Sequence, residues 1–141
     1  MLALLLSSCA TGTVVVQSEK KITEPKVVAL DAPLAPWVPQ IETRLRHKGF
    51  QVKRFSRNQA GALDDLGARY VLRIAGDYYR GWEQRCFGGG YKFHSLMAEL
   101  VDIKTNESVA SVTGEGYSEN CPPLSGTIFG DIAKMVAERW E

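Results

Sequence analysis

Charge of one sign is almost missing from the balance of this chain: 17 Lys and Arg against 16 Asp and Glu leave +1. A dedicated nucleic-acid binder carries a marked basic excess, so that class is set aside. Histidine is scarce, with two in 141 residues. His47 and His94 fall on different expected elements, and no Cys or carboxylate stands at metal-ligand spacing, which argues against a metal centre. No stretch approaches the roughly 20 apolar residues of a membrane-spanning helix. Nucleophile elbow, Walker loop and dinucleotide fingerprint are all missing, as are internal repeats and low-complexity segments. The Gly88-Gly89-Gly90 triplet is followed by an alternating strand, not by a helix whose N-terminus could meet an anion, so it reads as a hairpin loop rather than a phosphate cradle. No cofactor is expected.

What is present is an ordinary globular composition, 45% hydrophobic and 23% charged, in a length that suits one domain. Lys26 to Leu30 is a short apolar run of the kind that forms a buried strand. Trp37, Val38, Ile41 and Leu45 recur at helical spacing, and Gly49 stands where a helix commonly stops. Phe50 to Phe55 predicts a second strand, and Ala60, Leu63 and Leu66 a short helix ending at Gly67. Tyr70, Leu72 and Ile74 then alternate in a long strand expected to run to about Trp82. Tyr91 to Ile103 and Val109 to Ser118 form a hairpin across the polar turn Lys104–Ser108. Ser125 reads as an N-cap, followed by Ile128, Phe129, Ile132, Val136 and Trp140 at helical spacing through the C-terminus. The predicted class is mixed α+β, a sheet of about five strands with helices on a face, in the order β-α-β-α-β-β-β-α.

The N-terminus carries an address. Met1–Leu6 is apolar and runs into Ser7, Ser8, Cys9 and Ala10, the small residues that a signal-processing site requires. Leu6-Ser7-Ser8-Cys9 resembles the lipobox of bacterial lipoproteins. That resemblance implies removal of residues 1–8 as a signal-peptide remnant, acylation of Cys9, and, with non-acidic Ala10 next, an outer-membrane location facing the periplasm. No Lys or Arg precedes the apolar run and the run is short, so a start farther upstream is expected. Residues 9–25 read as the acylated cysteine and a tether, with Val14-Val15-Val16 as a short strand candidate inside it. An extended tether of that length reaches on the order of 50 Å. Residues 26–141 form the globular domain. Their element order resembles the small α/β domain of envelope lipoproteins such as the curli-secretion channel lipoprotein and the activators of penicillin-binding proteins, and the N-terminal domain of the Tol translocation protein.

With Cys9 assigned to lipid, Cys86 and Cys121 remain in an oxidising compartment. The strand meander brings both to the same end of the sheet, which favours a disulfide. Two unpaired buried cysteines, or a thiol nucleophile working with His94, are the alternatives. Tyr78, Tyr79, Arg80, Trp82, Arg85, Phe87 and Tyr91 crowd around the Cys86 loop, and aromatic residues with Arg are enriched at binding hot spots. Core filling is the competing reading. Arg44, Arg46, Lys48, Lys53, Arg54 and Arg57 form a basic cluster, readable as a contact for anionic lipid or as a solvated face balanced by acids such as Asp64 and Asp65. The leading expectation is a non-enzymatic outer-membrane lipoprotein, held to the membrane by its acyl anchor. Its periplasmic domain would be a structural or accessory subunit of an envelope assembly, or an activator of a cell-wall enzyme, with envelope protein partners and scope for oligomeric assembly. The alternatives are a small periplasmic cell-wall enzyme and a lipid- or glycan-binding module using the basic patch.

Overall fold

The computed structural model describes residues 12–54, 67–78 and 86–141, with the side chain of Tyr78 outside that description. The expected helix over 60–67 therefore lies outside the described residues except for Gly67, as do Cys9, Arg57, Asp64 and Asp65. The mixed α+β class holds. Six strands, β1 (Thr13–Val16), β2 (Val27–Asp31), β3 (Gln51–Arg54), β4 (Tyr70–Tyr78), β5 (Lys92–Asp102) and β6 (Glu107–Tyr117), form one sheet in the order β1-β6-β5-β4-β2-β3. Strand β2 runs parallel to β3 and to β4, whereas β4, β5, β6 and β1 pair antiparallel. Parallel neighbours need a crossover, and α1 (Val38–His47) supplies the one between β2 and β3. Helix α2 (Ile128–Ala137) follows the meander.

Helix α1 forms where the sequence predicts it. Pro sits in its first turn, where the missing N–H costs nothing, and Val38, Ile41 and Leu45 are buried. Gly49 takes φ +90° at its end, a left-handed conformation that favours glycine. Helix α2 buries Ile128, Phe129, Ile132, Ala133, Met135 and Val136. Both helices cover the sheet face formed by alternate residues of the ladders, such as Leu72 opposite Leu100, Ile74 opposite Ala98, and Ala98 opposite Val112. Trp37 is completely buried at the centre and meets Phe93 edge-on, with ring centroids 5.2 Å apart. The alternation Tyr70, Leu72, Ile74 then requires a glycine: a Cβ on Gly76 would meet Trp37 Cζ2 at 2.8 Å and Leu96 Cδ1 at 2.9 Å.

Three expectations are corrected here. Helix α2 stops at Ala137 and does not run through the C-terminus. Trp140 lies beyond it, packed edge-on against Phe50 and Tyr70, with its Nε1–H donating to the Glu24 carbonyl at 3.1 Å. Ser125 is not the N-cap of α2; Thr127 holds that position, and Ser125 Oγ instead accepts from the Cys121 N–H at 2.9 Å.

The third correction concerns the tether. Thr13–Val16 is the sixth strand, paired with Ala110–Thr113 of β6. Gly12 N–H donates to Asp131 Oδ2 at 2.7 Å. Ile22 bridges to Trp140, its N–H donating to the Arg139 carbonyl at 2.7 Å. Residues 12–24 are thus fastened to the domain at both ends, and the free reach expected of them is not available. The physical reason is apolar: Ile22 is 6% exposed and Trp140 5%, so releasing the segment would put both in water.

The crowding at Gly76 gives a direct test. Gly76→Ala must displace Trp37 or Leu96 in a filled core, and overpacking of this kind costs about 1–3 kcal/mol. Urea unfolding should show an unfolding free energy lower by that amount, seen as a lower midpoint at an unchanged slope.

Candidate functional site

The end of the sheet where β4 stops and β5 starts carries the disulfide. Cys86 and Cys121 are bonded across 35 residues of sequence. The loop they pin is tightly built: Cys86 N–H donates to Gly90 O, Gly89 N–H to Cys86 O and Gly90 N–H to Asn120 O, each at 2.9 Å. The glycine triplet serves this packing. A Cβ on Gly90 would meet the Glu119 carbonyl at 2.1 Å and Cys121 Sγ at 2.5 Å, and one on Gly88 would meet the Asn120 carbonyl at 2.7 Å. Cys86 and Cys121 are joined to each other, so neither is a nucleophile for His94, which lies exposed on β5.

Glu119, two residues before Cys121, fills the role expected of Ser125. Its Oε1 accepts from Phe129 N–H at 3.0 Å and its Oε2 from Gly130 N–H at 2.8 Å. A carboxylate there satisfies orphan donors and meets the positive end of the helix dipole. Arg44 Nε of α1 lies 3.5 Å from Glu119 Oε2, and its guanidinium sits over the Phe129 ring. Disulfide, helix cap and α1 are therefore one connected unit.

The expected partner set divides. Phe87 projects fully into solvent at the tip of the pinned loop, 108% exposed, whereas Tyr91 is 4% exposed and belongs to the core. Tyr91 is thus corrected from contact residue to core residue; its N–H donates to Ser118 Oγ at 2.9 Å and its carbonyl accepts from Ser118 N–H at 2.8 Å. The side chain of Tyr78, and Tyr79, Arg80, Trp82 and Arg85, lie outside the described residues.

The basic cluster is partly neutralised. Glu42 Oε1 accepts from Arg46 at 2.9 Å and Glu42 Oε2 from Arg54 at 2.7 Å. Burial opposes the Glu42 carboxylate, but these hydrogen bonds outweigh it and hold its pKa below the ordinary value. Arg46 also donates to the Val52 carbonyl at 3.1 Å. With Arg44 beside Glu119, the acids that balance the cluster include Glu42 and Glu119. Lys48 is exposed just past the end of α1.

One polar site escaped sequence reasoning. Arg69 grips Asp102 with both ends of its guanidinium, Nε to Oδ1 at 3.0 Å and NH2 to Oδ2 at 2.8 Å, and also donates to Glu24. The pairs are 33 and 45 residues apart, so no local motif announces them. Together with Ser18, Lys20, Lys21 and Ser108 they line an open groove of about 190 Å³. The Arg69 hydrogen bond holds the Asp102 carboxyl below its ordinary pKa. Among the described residues, no three His, Cys, Asp or Glu side chains converge as metal ligands, and no helix is long and apolar enough to cross a membrane.

Among the described residues, the Cys86–Cys121 bond, the Glu119 cap and the Arg69–Asp102 pair fasten the elements of an α+β domain to one another. No family model matches the sequence, and neither does any curated protein. Among solved structures the chain is similar to PelC from Paraburkholderia phytofirmans, solved as a dodecamer in two space groups, one of them with a single-residue variant. Identity is 22%, the TM-score is 0.59, and the match covers 93% of this chain and 99–100% of PelC. TolB from Acinetobacter baumannii matches at 15% identity and a TM-score of 0.44, over 90% of this chain and 31% of that one. The fold is that of PelC.

Two measurements test this site. Closing a 35-residue loop is worth about 3–4 kcal/mol on the chain-entropy scale, so the Cys86→Ser, Cys121→Ser double variant should lose that much unfolding free energy in denaturant titration. Asp102, depressed from its ordinary 3.8, contributes stability above that value and loses it as pH falls through the lower folded pKa. Melting temperatures below about pH 4 should therefore fall more steeply for the parent than for Asp102→Asn.

Proposed function

We propose that the chain is an outer-membrane lipoprotein whose periplasmic domain is a non-enzymatic structural subunit of an envelope assembly built with further copies of itself. The observation that carries this reading is the likeness to PelC over essentially the whole of both chains, because PelC is a dodecamer. With 99–100% of PelC inside the match, that assembly comes from this fold without an added oligomerisation domain. Two further features support the reading. The Leu6-Ser7-Ser8-Cys9 tetrad resembles the lipobox pattern, and the Cys86–Cys121 bond suits an oxidising compartment such as the periplasm.

The docked N-terminal segment alters how the anchor would work. Cys9 stands four residues before Thr13, the first residue of β1. At about 3.3–3.6 Å per residue that link spans at most about 14 Å. The acyl chains would hold the β1 end of the sheet close to the bilayer surface rather than on a long leash. Several acyl chains on one cysteine would anchor stably, where one would not.

The test is Cys9→Ser in a bacterial host. The parent should fractionate with outer membranes, begin at Cys9 and carry acyl mass. The variant should keep its leader, carry no acyl mass and leave the outer-membrane fraction. A variant that is processed and membrane-bound like the parent contradicts the proposal.

A further inference from the structure

The two edges of the sheet are finished differently. At the β3 edge, Lys53 and Arg54 place charge on the strand, and the Arg46 guanidinium already occupies the Val52 carbonyl at 3.1 Å. Charged residues at an edge are a standard guard against further pairing. At the other edge β1 reads Thr-Val-Val-Val, with no charge, proline or glycine, and Val14, Val15 and Val16 are 46%, 48% and 39% exposed. Gln17 N–H points inward to the Val109 carbonyl at 2.9 Å. By the alternation of an antiparallel ladder, the backbone groups of Thr13 and Val15 also face β6, and those of Val14 and Val16 face outward. This edge offers apolar side chains and an open row of donors and acceptors at once.

We propose that the β1 edge is a subunit contact, covered in the assembly by a second copy of this chain. The inference rests on the assembly reading above and says which surface performs it. A single two-fold contact stops at two copies, so a larger closed assembly needs each copy to present at least two surfaces. The PelC dodecamer finds them within this fold alone, and β1 is an edge that no described residue guards. Lipid is the other apolar environment within reach, but hydrocarbon cannot satisfy the outward N–H and C=O groups of an open strand, whereas a protein neighbour can. The lack of charge on Thr13–Val16 also removes the attraction an anionic headgroup or polyanion would need.

The experiment places a photo-crosslinking amino acid at Val15 in the full chain, expressed in a bacterial envelope and irradiated there. The expected product is a covalent species of twice the chain mass whose peptides all come from this chain. In parallel, Val15→Lys, at a site open enough to accept the charge, should raise the dissociation constant of the detergent-extracted assembly about tenfold or more, as loss of a contact anchor does, with unchanged melting. Adducts with lipid or with a different protein only, or association that Val15→Lys leaves untouched, overturn the β1 assignment while leaving self-assembly intact. A chain that sediments as a monomer at micromolar concentration overturns the assembly reading together with it.

Discussion

An open sheet must deal with its two edges whatever its faces bury, and the rest of this structure follows from how each is handled. The β3 edge is closed by charge, through Lys53, Arg54 and the Arg46 contact to the Val52 carbonyl. The outer side of β6 is closed by β1. Because β1 comes from the N-terminal segment, the same pairing draws that segment onto the domain. Gly12 then reaches Asp131 of α2, and Ile22 and Glu24 reach Trp140. Edge closure, burial of the C-terminal Trp and the short link to Cys9 are thus one event. What it leaves behind is a new edge, made of valine and unguarded among the described residues.

The opposite concern is rigidity where β4, β6 and α2 meet. Covalent closure by Cys86–Cys121 and the Glu119 cap act on adjacent residues, so the segment before α2 is held from two directions. Magnitude matters here. A disulfide worth about 3–4 kcal/mol is a large share of the roughly 5–15 kcal/mol that holds a domain of this size. The basic cluster, by comparison, is engaged in surface ion pairs that contribute little each, and Arg46 and Arg54 share a single acid in Glu42.

Much of the fold was legible in the residues. Period-two and period-3.6 patterns located α1, β4, β5, β6 and α2 through the apolar residues that recur on a buried face, and a continuous apolar run located β2, which is buried on both faces. The disulfide followed from the meander that those strands imply. Other features left no pattern to read. Four residues of Thr-Val-Val-Val without turn signals could be strand or linker, and only the partner β6, nearly a hundred residues away, decides between them. Gly76 is dictated by Trp37, Glu119 by the start of α2, and Asp102 by Arg69. These are pairings set by tertiary contact and invisible to spacing. Tyr91 shows the converse: an aromatic beside a functional-looking loop is turned inward just before β5, where Ser118 pairs with its backbone.

An acylated start and self-association are coupled properties, and native mass spectrometry of the full chain extracted in mild detergent from bacterial outer membranes reads both at once. It should find subunits that begin at Cys9, carry acyl mass, and travel in species holding several copies. Single copies of an unmodified chain that still begins at Met1 would contradict it.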